Sequence, residues 1–168
     1  YLGLKHDYGD PKKGYCFEHV NFFQTLQKMQ NIKKLDYIAI DEVISNNGKD
    51  FLNELLINKA KKEKYDLIFF FIFKDEFYPE TLKYLKDNLS IPTIAWMADD
   101  HWRFENYSKY NARLYSLYVT TDENSLIKYK QNKIFNVTLS QWACNHYLSG
   151  DHVSKKNLKV SFVGMSYG

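Results

Sequence analysis

Short apolar runs alternate along the chain with longer segments in which apolar residues recur every three or four positions. The longest run, Leu-Ile-Phe-Phe-Phe-Ile-Phe within 66–73, is apolar throughout, as is typical of a strand buried on both faces of a parallel sheet. Another run starts at Thr93, directly after Pro92, and ends abruptly at two acids. Further strands are predicted over 1–5, 35–40, 115–119, 135–139 and 158–163.

The periodic segments predict amphipathic helices between these strands. Phe22, Leu26 and Met29 give a helix over 17–30 an apolar side, and a turn at 46–48 precedes the next helix. A further helical stretch is predicted over 107–114. Pro79 suits a first helical turn, and Asp122 can cap a last helix. The positions that we expect to face inward in these later helices are Phe51, Leu52, Leu55, Leu56, Ala60, Leu82, Leu85, Leu89, Leu126, Ile127 and Tyr129.

Strands that alternate with helices of about 10–15 residues indicate βαβ units. The predicted fold class is α/β, a Rossmann-like parallel sheet with helices on both faces. This domain should occupy 1–149, followed by a polar linker over 150–157 and a new strand and loop over 158–168. The chain begins at Tyr1 without an initiator Met and ends at Gly168 after an apolar run, so we expect it to be part of a longer protein.

Composition narrows the class of protein. With 168 residues, 45% apolar and 26% charged, the chain is long and apolar enough for one globular domain. A formal net charge of +3 is too small to indicate nucleic acid as a partner. No apolar run is long enough to span a membrane and no signal peptide is visible, so we predict a cytoplasmic protein.

The two cysteines, Cys16 and Cys144, lie far apart, and no spacing typical of a Cys/His metal site is present. A disulfide between them stays open, with reduced thiols as the default in a cytosolic protein.

Polar residues follow most of the predicted strands, and ligands bind beyond the carboxyl ends of the strands in open parallel sheets. The densest group is Asp-Asp-His-Trp-Arg at 99–103. Carboxylates and amides can form paired hydrogen bonds with vicinal hydroxyls, and indole faces pack on sugar C–H groups, so this edge suits a polyhydroxylated ligand. The residues that we expect to bind it are Asp7, Trp102, Arg103, Asp122, Gln141, Trp142 and Asn145.

Two histidines at the same edge, His101 and His6, are candidate general bases that deprotonate a hydroxyl. A neighbouring carboxylate would orient the imidazole, and Asp99 and Asp100 stand beside His101. Other interpretations stay open: either histidine can be structural, the two acids can cap a helix, and Trp102 and Trp142 can be packing residues. No metal site is predicted, because three consecutive side chains at 99–101 rarely converge on one ion.

Neither GxGxxG nor GxxxxGK[ST] is present, which excludes the nucleotide-binding motifs of dehydrogenases and P-loop proteins. A short glycine loop at 164–168 follows the last predicted strand. Its backbone amides can cradle a phosphate, which makes Gly164, Tyr167 and Gly168 candidate contacts for a phosphate-bearing ligand.

Five segments in order span nearly the whole chain. They are 5–9 (Lys-His-Asp-Tyr-Gly), 98–104 (Ala-Asp-Asp-His-Trp-Arg-Phe), 119–122 (Val-Thr-Thr-Asp), 139–145 (Leu-Ser-Gln-Trp-Ala-Cys-Asn) and 160–164 (Val-Ser-Phe-Val-Gly). Together they resemble the N-terminal half of CgeB-type (spore maturation protein-like) glycosyltransferases. The segments 98–104 and 139–145 are the most specific.

The resemblance implies a GT-B architecture, in which two Rossmann-like domains face each other across a cleft. Residues 1–149 would be the acceptor-side domain, and 158–168 would begin a truncated C-terminal domain that holds most of the nucleotide-sugar. It further implies a nucleotide-sugar donor as co-substrate, a carbohydrate or other hydroxyl acceptor, and no metal or tightly bound cofactor. The isolated chain would be at best very weakly active.

In that scheme the acceptor hydroxyl is deprotonated near His101 or His6 and attacks the anomeric carbon of the donor sugar. Asp7, Asp99 and Asp100 orient the base or hydrogen-bond the acceptor, while Arg103 anchors its loop or contacts a phosphate. The alternative function is a non-catalytic glycan- or protein-binding module on the same fold. A receiver-like signalling domain is a third possibility. The sequence argues against it, because the acids at the strand ends lack the separated Asp and Lys spacing that we would expect of such a domain.

Overall fold

The computed structural model describes residues 1–143 and 145–148. Cys144, the predicted linker 150–157, the predicted strand 158–163 and the loop with Gly164, Tyr167 and Gly168 lie outside the described residues. The predictions made for them, including the start of a second domain, stay predictions.

In the described part of the chain, six parallel strands form a single sheet. The strands are β1 (Leu2–Gly3), β2 (Ile38–Ala39), β3 (Ile68–Phe71), β4 (Thr93–Met97), β5 (Leu117–Thr120) and β6 (Val137–Leu139). Their order is β2-β1-β3-β4-β5-β6, and every pairing is parallel. The predicted fold class, an α/β parallel sheet, is therefore confirmed. Most strands are shorter than the apolar runs that predicted them. For example, β2 covers only two residues of the run at 35–40.

Strand β3 lies at the centre of the sheet, with β1 and β4 as its neighbours. Phe70 packs on one face against Phe77 and Tyr115, with ring centroids 4.9 and 5.4 Å away. Its neighbour Phe71 points to the other face, where the ring of Phe22 lies 5.0 Å away. The prediction that this strand is buried on both faces is confirmed.

Helices cover both faces of the sheet. They are α1 (Gln24–Lys28), α2 (Ile40–Glu63), α3 (Pro79–Lys83), α4 (Asp100–Arg103), α5 (Lys109–Asn111) and α6 (Glu123–Gln131). Among the described residues, three wider, π-helical turns adjoin these helices. One precedes α1 (His19–Phe23), one follows α3 (Tyr84–Asn88), and one joins α4 to α5 (Phe104–Ser108). The π-helical turn His19–Phe23 and α1 together form the first helix, which covers the Phe71 face of the sheet through Phe22. Helix α2 lies on the Phe70 face, because Asn53 hydrogen-bonds the segment that carries Phe77.

Several helix predictions need correction in detail. Helix α2 begins at Ile40, so Asp41 is in its first turn and not in a loop after a strand. The predicted turn at 46–48 is a break inside α2, where Gly48 has φ 87° and ψ 172°. Ile127, predicted to be buried in α6, is 53% exposed, and Phe51 and Met29, also predicted to face inward, are exposed as well.

Other predicted features are confirmed. Pro79 stands in the first turn of α3, and Leu82 and Leu85 are buried. Asp122 caps α6, as predicted. Cys16 is a buried free thiol that donates to the carbonyl of Leu4 at 3.1 Å, and burial raises its pKa to about 12.

Within 1–143 and 145–148, no helix has the length and apolar character needed to cross a membrane.

Candidate functional site

A cavity of about 1190 Å³ opens at the carboxyl ends of β1, β3 and β4. It lies where the strand order changes direction, since β2 follows on one side of β1 and β3 lies on the other. Such switch points are the usual ligand sites of open α/β sheets. Its polar lining residues are Asp7, Glu18, Lys74, Asp99, Arg103 and Asn106. Its aromatic lining includes Tyr8, Phe17, Trp102, Tyr107 and Trp142.

The tight junction between β4 and α4 supplies one wall of this cavity. The carbonyl of Asp99 accepts hydrogen bonds from the backbone amides of Trp102 and Arg103, at 3.2 and 3.0 Å. This first turn brings Asp99, Trp102 and Arg103 to the cavity together. Asp99 stands at the position before α4 but makes no side-chain capping bond, so its carboxylate is left for the cavity.

Arg103 is held rigidly. Its Nη1 donates to the carbonyl of Phe73, just beyond the end of β3. The guanidinium carbon lies 4.5 Å from the ring centroid of Tyr107 and 5.5 Å from that of Trp102. These contacts are those expected of the loop-anchoring role predicted for Arg103.

The two predicted tryptophans both reach the cavity. Trp102 is 59% exposed and Trp142 is 46% exposed. Trp142 also packs, because its ring centroid lies 5.3 Å from Phe17 and 5.8 Å from Trp96. One face of Trp142 thus supports the fold, and the side chain also lines the cavity.

Asp100, predicted as part of the catalytic group, does not line the cavity. Its side chain is fully buried, and Oδ2 accepts a hydrogen bond from the Tyr129 hydroxyl at 2.9 Å. Burial raises the pKa of Asp100, although the hydroxyls of Ser108, Thr120 and Tyr129 oppose that shift. Asp100 connects α4 to α6 inside the core.

His6 has a carboxylate partner, but not the adjacent Asp7. Its Nδ1 lies 2.8 Å from Oδ2 of Asp41, which the sequence places in a different segment. Asp41 also accepts from the backbone amides of Lys5 and His6, at 2.8 and 3.1 Å. His6 is thereby fixed at the end of β1, beside the cavity but not among its lining residues, whereas Asp7 lines it.

His101 is exposed and is also absent from the cavity lining. Asp122, predicted to bind substrate, caps α6 instead: its Oδ2 accepts from the Ser125 amide at 2.8 Å and from the Ser125 hydroxyl at 2.6 Å. These hydrogen bonds lower the pKa of Asp122, with a smaller contribution from the nearby charge of His101. The capping interpretation therefore applies to Asp122.

Gln141 and Asn145 line a second, smaller cavity of about 330 Å³. It shares Phe17, Trp142 and Ala143 with the first cavity, so the two are contiguous. The Asn145 amide is already used, because it donates to Asn21 at 3.1 Å and to Thr25 at 3.0 Å.

Sequence reasoning missed Glu18 and Asn106 as lining residues. Glu18 stands at the position before the π-helical turn His19–Phe23 and lines the cavity together with Asp7 from the segment after β1. Asn106 and Tyr107 follow Arg103 by three and four positions, which is the spacing of neighbours on one helix face. The spacing from Arg103 is the sequence signal that would have identified Asn106 and Tyr107 as lining residues.

Among the residues that the structure describes, no group of three or more His, Cys, Asp or Glu side chains is arranged to hold a metal ion.

Comparison with protein-family models, with curated proteins and with solved structures gives no match for this chain. The resemblance to CgeB-type glycosyltransferases therefore stays a prediction from the sequence motifs. A shared fold does not by itself fix a function, so the functional argument rests on the cavity.

Proposed function

We propose that residues 1–149 are the acceptor-side domain of a nucleotide-sugar-dependent glycosyltransferase, and that the large cavity binds the carbohydrate acceptor. The observation that carries this proposal is the composition of the cavity at the switch point of the sheet. The exposed rings of Tyr8, Trp102 and Trp142 stand there beside carboxylates and an amide. Aromatic faces pack on the C–H surface of a sugar, while carboxylates accept hydrogen bonds from its hydroxyls.

In this proposal the acceptor hydroxyl loses its proton to a carboxylate in the cavity. Asp99 is the best candidate, because it lines the cavity and spends no side-chain hydrogen bond on capping α4. The resulting alkoxide attacks the anomeric carbon of the donor sugar, and the bond between that carbon and the phosphate oxygen breaks to release the nucleoside diphosphate. The nucleotide-sugar is a co-substrate held mainly by the second domain that the resemblance implies, with no tightly bound cofactor.

A non-catalytic glycan-binding module is the second candidate. The observation that favours it is the position of the two predicted bases, since neither His6 nor His101 lines the cavity. A binding module needs the same aromatic and acidic lining but no base near the bound hydroxyl.

The two functions separate in an experiment on the protein expressed from its complete gene. Hydrolysis or transfer is screened over UDP-, GDP- and dTDP-sugars, and binding of neutral oligosaccharides is followed by quenching of tryptophan emission. For the enzyme, we expect turnover that Asp99→Asn lowers by about 10²–10⁴-fold, the usual contribution of a general base. The matched control Asp87→Asn, at an exposed helical position, should keep full turnover.

Saturable oligosaccharide binding that Trp102→Ala weakens, with no consumption of any nucleotide-sugar, would establish the binding module instead. Absence of both turnover and sugar binding would overturn both functions.

A further inference from the structure

The cavity has an uneven distribution of charge. Lys74 and Arg103, its two cationic lining residues, come from the segments that follow β3 and β4. Its carboxylates are Asp7 and Glu18, from the segment that follows β1, and Asp99, which shares the segment after β4 with Arg103. A neutral sugar offers a guanidinium and an ammonium only hydroxyl acceptors, whereas an anionic group forms shorter, charge-assisted hydrogen bonds with both.

Arg103 is fixed before any ligand arrives. One nitrogen donates to the Phe73 carbonyl, and the guanidinium lies against the rings of Tyr107 and Trp102. An arginine held in this way loses little side-chain entropy on binding, and its planar array of donors matches the oxygens of a carboxylate or a phosphate.

The charge of Arg103 is not consumed by an ion pair within the described part of the chain. Across residues 1–143 and 145–148, no carboxylate lies within ion-pair distance of its guanidinium. The buried carboxyl of Glu76 lies behind this site and accepts from the Lys74 backbone amide at 2.5 Å. Burial raises the pKa of Glu76, and the charge of Arg103 opposes that shift.

We infer that the cavity takes an acidic carbohydrate, and that Arg103, assisted by Lys74, binds its anionic group, a carboxylate or a phosphate. This inference rests on the proposed function and narrows it, because it names the substrate class of the same site. In this arrangement the anionic group lies at Arg103 and Lys74, and the sugar hydroxyls lie toward the carboxylates of Asp7, Glu18 and Asp99.

The test compares matched ligands on this chain by isothermal titration calorimetry. Hexoses of gluco, galacto and manno configuration are each used as the neutral sugar, the uronate and the 1-phosphate. We expect at least one series in which an acidic form binds about tenfold or more tightly than the neutral form. The uronate and 1-phosphate arms show which anion is preferred.

The variant Arg103→Gln should weaken binding of the acidic form by roughly 10- to 100-fold, the range for loss of a hydrogen bond to a charged group, and should leave the neutral form unchanged. The matched control is Arg113→Gln, at an exposed arginine that also donates to backbone carbonyls but lies outside the cavity. It should bind all forms like the parent.

Because Arg103 also anchors its loop, Lys74→Gln is the second variant. Lys74 is exposed, so its substitution should preserve the fold and still weaken the acidic ligand by about three- to tenfold. Equal binding of neutral and acidic forms by the parent, or an acidic preference that survives both Arg103→Gln and Lys74→Gln, would overturn this inference while leaving carbohydrate binding intact. If no sugar binds in any form, the proposed function fails with it.

Discussion

At the scale of single residues, Asp99 and Asp100 show how adjacent side chains divide between the cavity and the core. The chain turns from β4 into α4 between them, so Asp99 lines the cavity and Asp100 points toward Tyr129. Oδ1 of Asp100 has no hydrogen-bond partner among the described residues. A carboxylate buried in this way is costly when charged, because a low-dielectric interior solvates it poorly.

Because of this cost, we expect Asp100→Asn to change the free energy of unfolding by an amount that depends on pH. Burial raises the pKa of Asp100 above its ordinary 3.8, so the folded state binds the proton more tightly than the unfolded chain does. The contribution of this carboxyl to the free energy of unfolding is therefore largest below pH 3.8, and this contribution falls as the pH rises through the raised pKa. The amide of Asp100→Asn does not titrate, so the variant should gain stability relative to the parent as pH increases.

Urea unfolding at several pH values between 3 and 7 measures this difference. At pH 7 we expect Asp100→Asn to be as stable as the parent within about 1 kcal/mol, or more stable, as often happens when a buried charge is replaced. The control Asp87→Asn should show little pH dependence relative to the parent. A variant that loses stability relative to the parent as pH rises would show that Asp100 is stabilised as a charged group.

About half of the polar and aromatic residues that line the cavity could be predicted from their position after a strand in the sequence. Asp7, Asp99, Trp102, Arg103 and Trp142 follow strand ends in the sequence and all line the cavity. The two histidines also follow strand ends and do not line it, because placement at an edge does not fix the direction of a side chain. The partner of His6 is Asp41, which is 35 residues away. No local pattern encodes such a contact.

At the scale of elements, the hydrophobic pattern predicted each of the six described strands, because an apolar run between helical segments has few other ways to be buried. The pattern did not predict strand length, since pairing in β1 and β2 depends on neighbours and not on the run itself. It also did not predict the π-helical turns at His19–Phe23 and Phe104–Ser108. A wider turn shifts the apolar face by part of a turn, which periodicity over a short window does not resolve.

Gly48 is the element-scale feature with the sharpest consequence. It interrupts α2 with φ 87° and ψ 172°, a conformation that is nearly restricted to glycine. A Cβ placed there would meet no atom within 4 Å, so any cost of a substitution comes from the backbone and not from a clash. We expect Gly48→Ala to lower the free energy of unfolding by about 1–3 kcal/mol.

The matched control for Gly48→Ala is Asn47→Ala, at the preceding, exposed position of α2. It should change stability by less than about 0.5 kcal/mol, as exposed substitutions usually do. Equal stability of the two variants in urea unfolding would show that α2 runs through Gly48 without the break.

At the scale of the whole molecule, the cavity depends on strand order. Alternating strands and helices predict a parallel sheet, but they do not say on which side of β1 each new strand is added. The order β2-β1-β3-β4-β5-β6 brings the segments after β1, β3 and β4 together. Asp7 and Glu18 therefore meet Lys74 and Arg103 at one cavity although they lie 56 to 96 residues away in the chain, a distance that no motif search could join.

Phe22 connects the parts of the molecule that form this cavity and the neighbouring one. Its ring centroid lies 5.0 Å from Phe71 in β3, 5.1 Å from Trp96 in β4 and 6.5 Å from Trp142. Truncating Phe22 removes a contact shared by the first helix, the sheet and the segment around Trp142. We therefore expect a loss of both stability and order at the cavity wall, not a purely local defect.

Phe22→Ala should lower the free energy of unfolding by about 2–3 kcal/mol, somewhat below the usual cost for a fully buried phenylalanine because Phe22 is half-buried. The control Phe51→Ala, at a side chain that is 44% exposed, should cost less than about 1 kcal/mol. Tryptophan emission provides a second measurement: in Phe22→Ala it should shift to longer wavelength, because Trp142 and Trp96 lose a packing partner and gain water. If Phe22→Ala matches Phe51→Ala in stability and leaves the emission unchanged, the segment around Trp142 is held by other contacts and does not depend on the first helix.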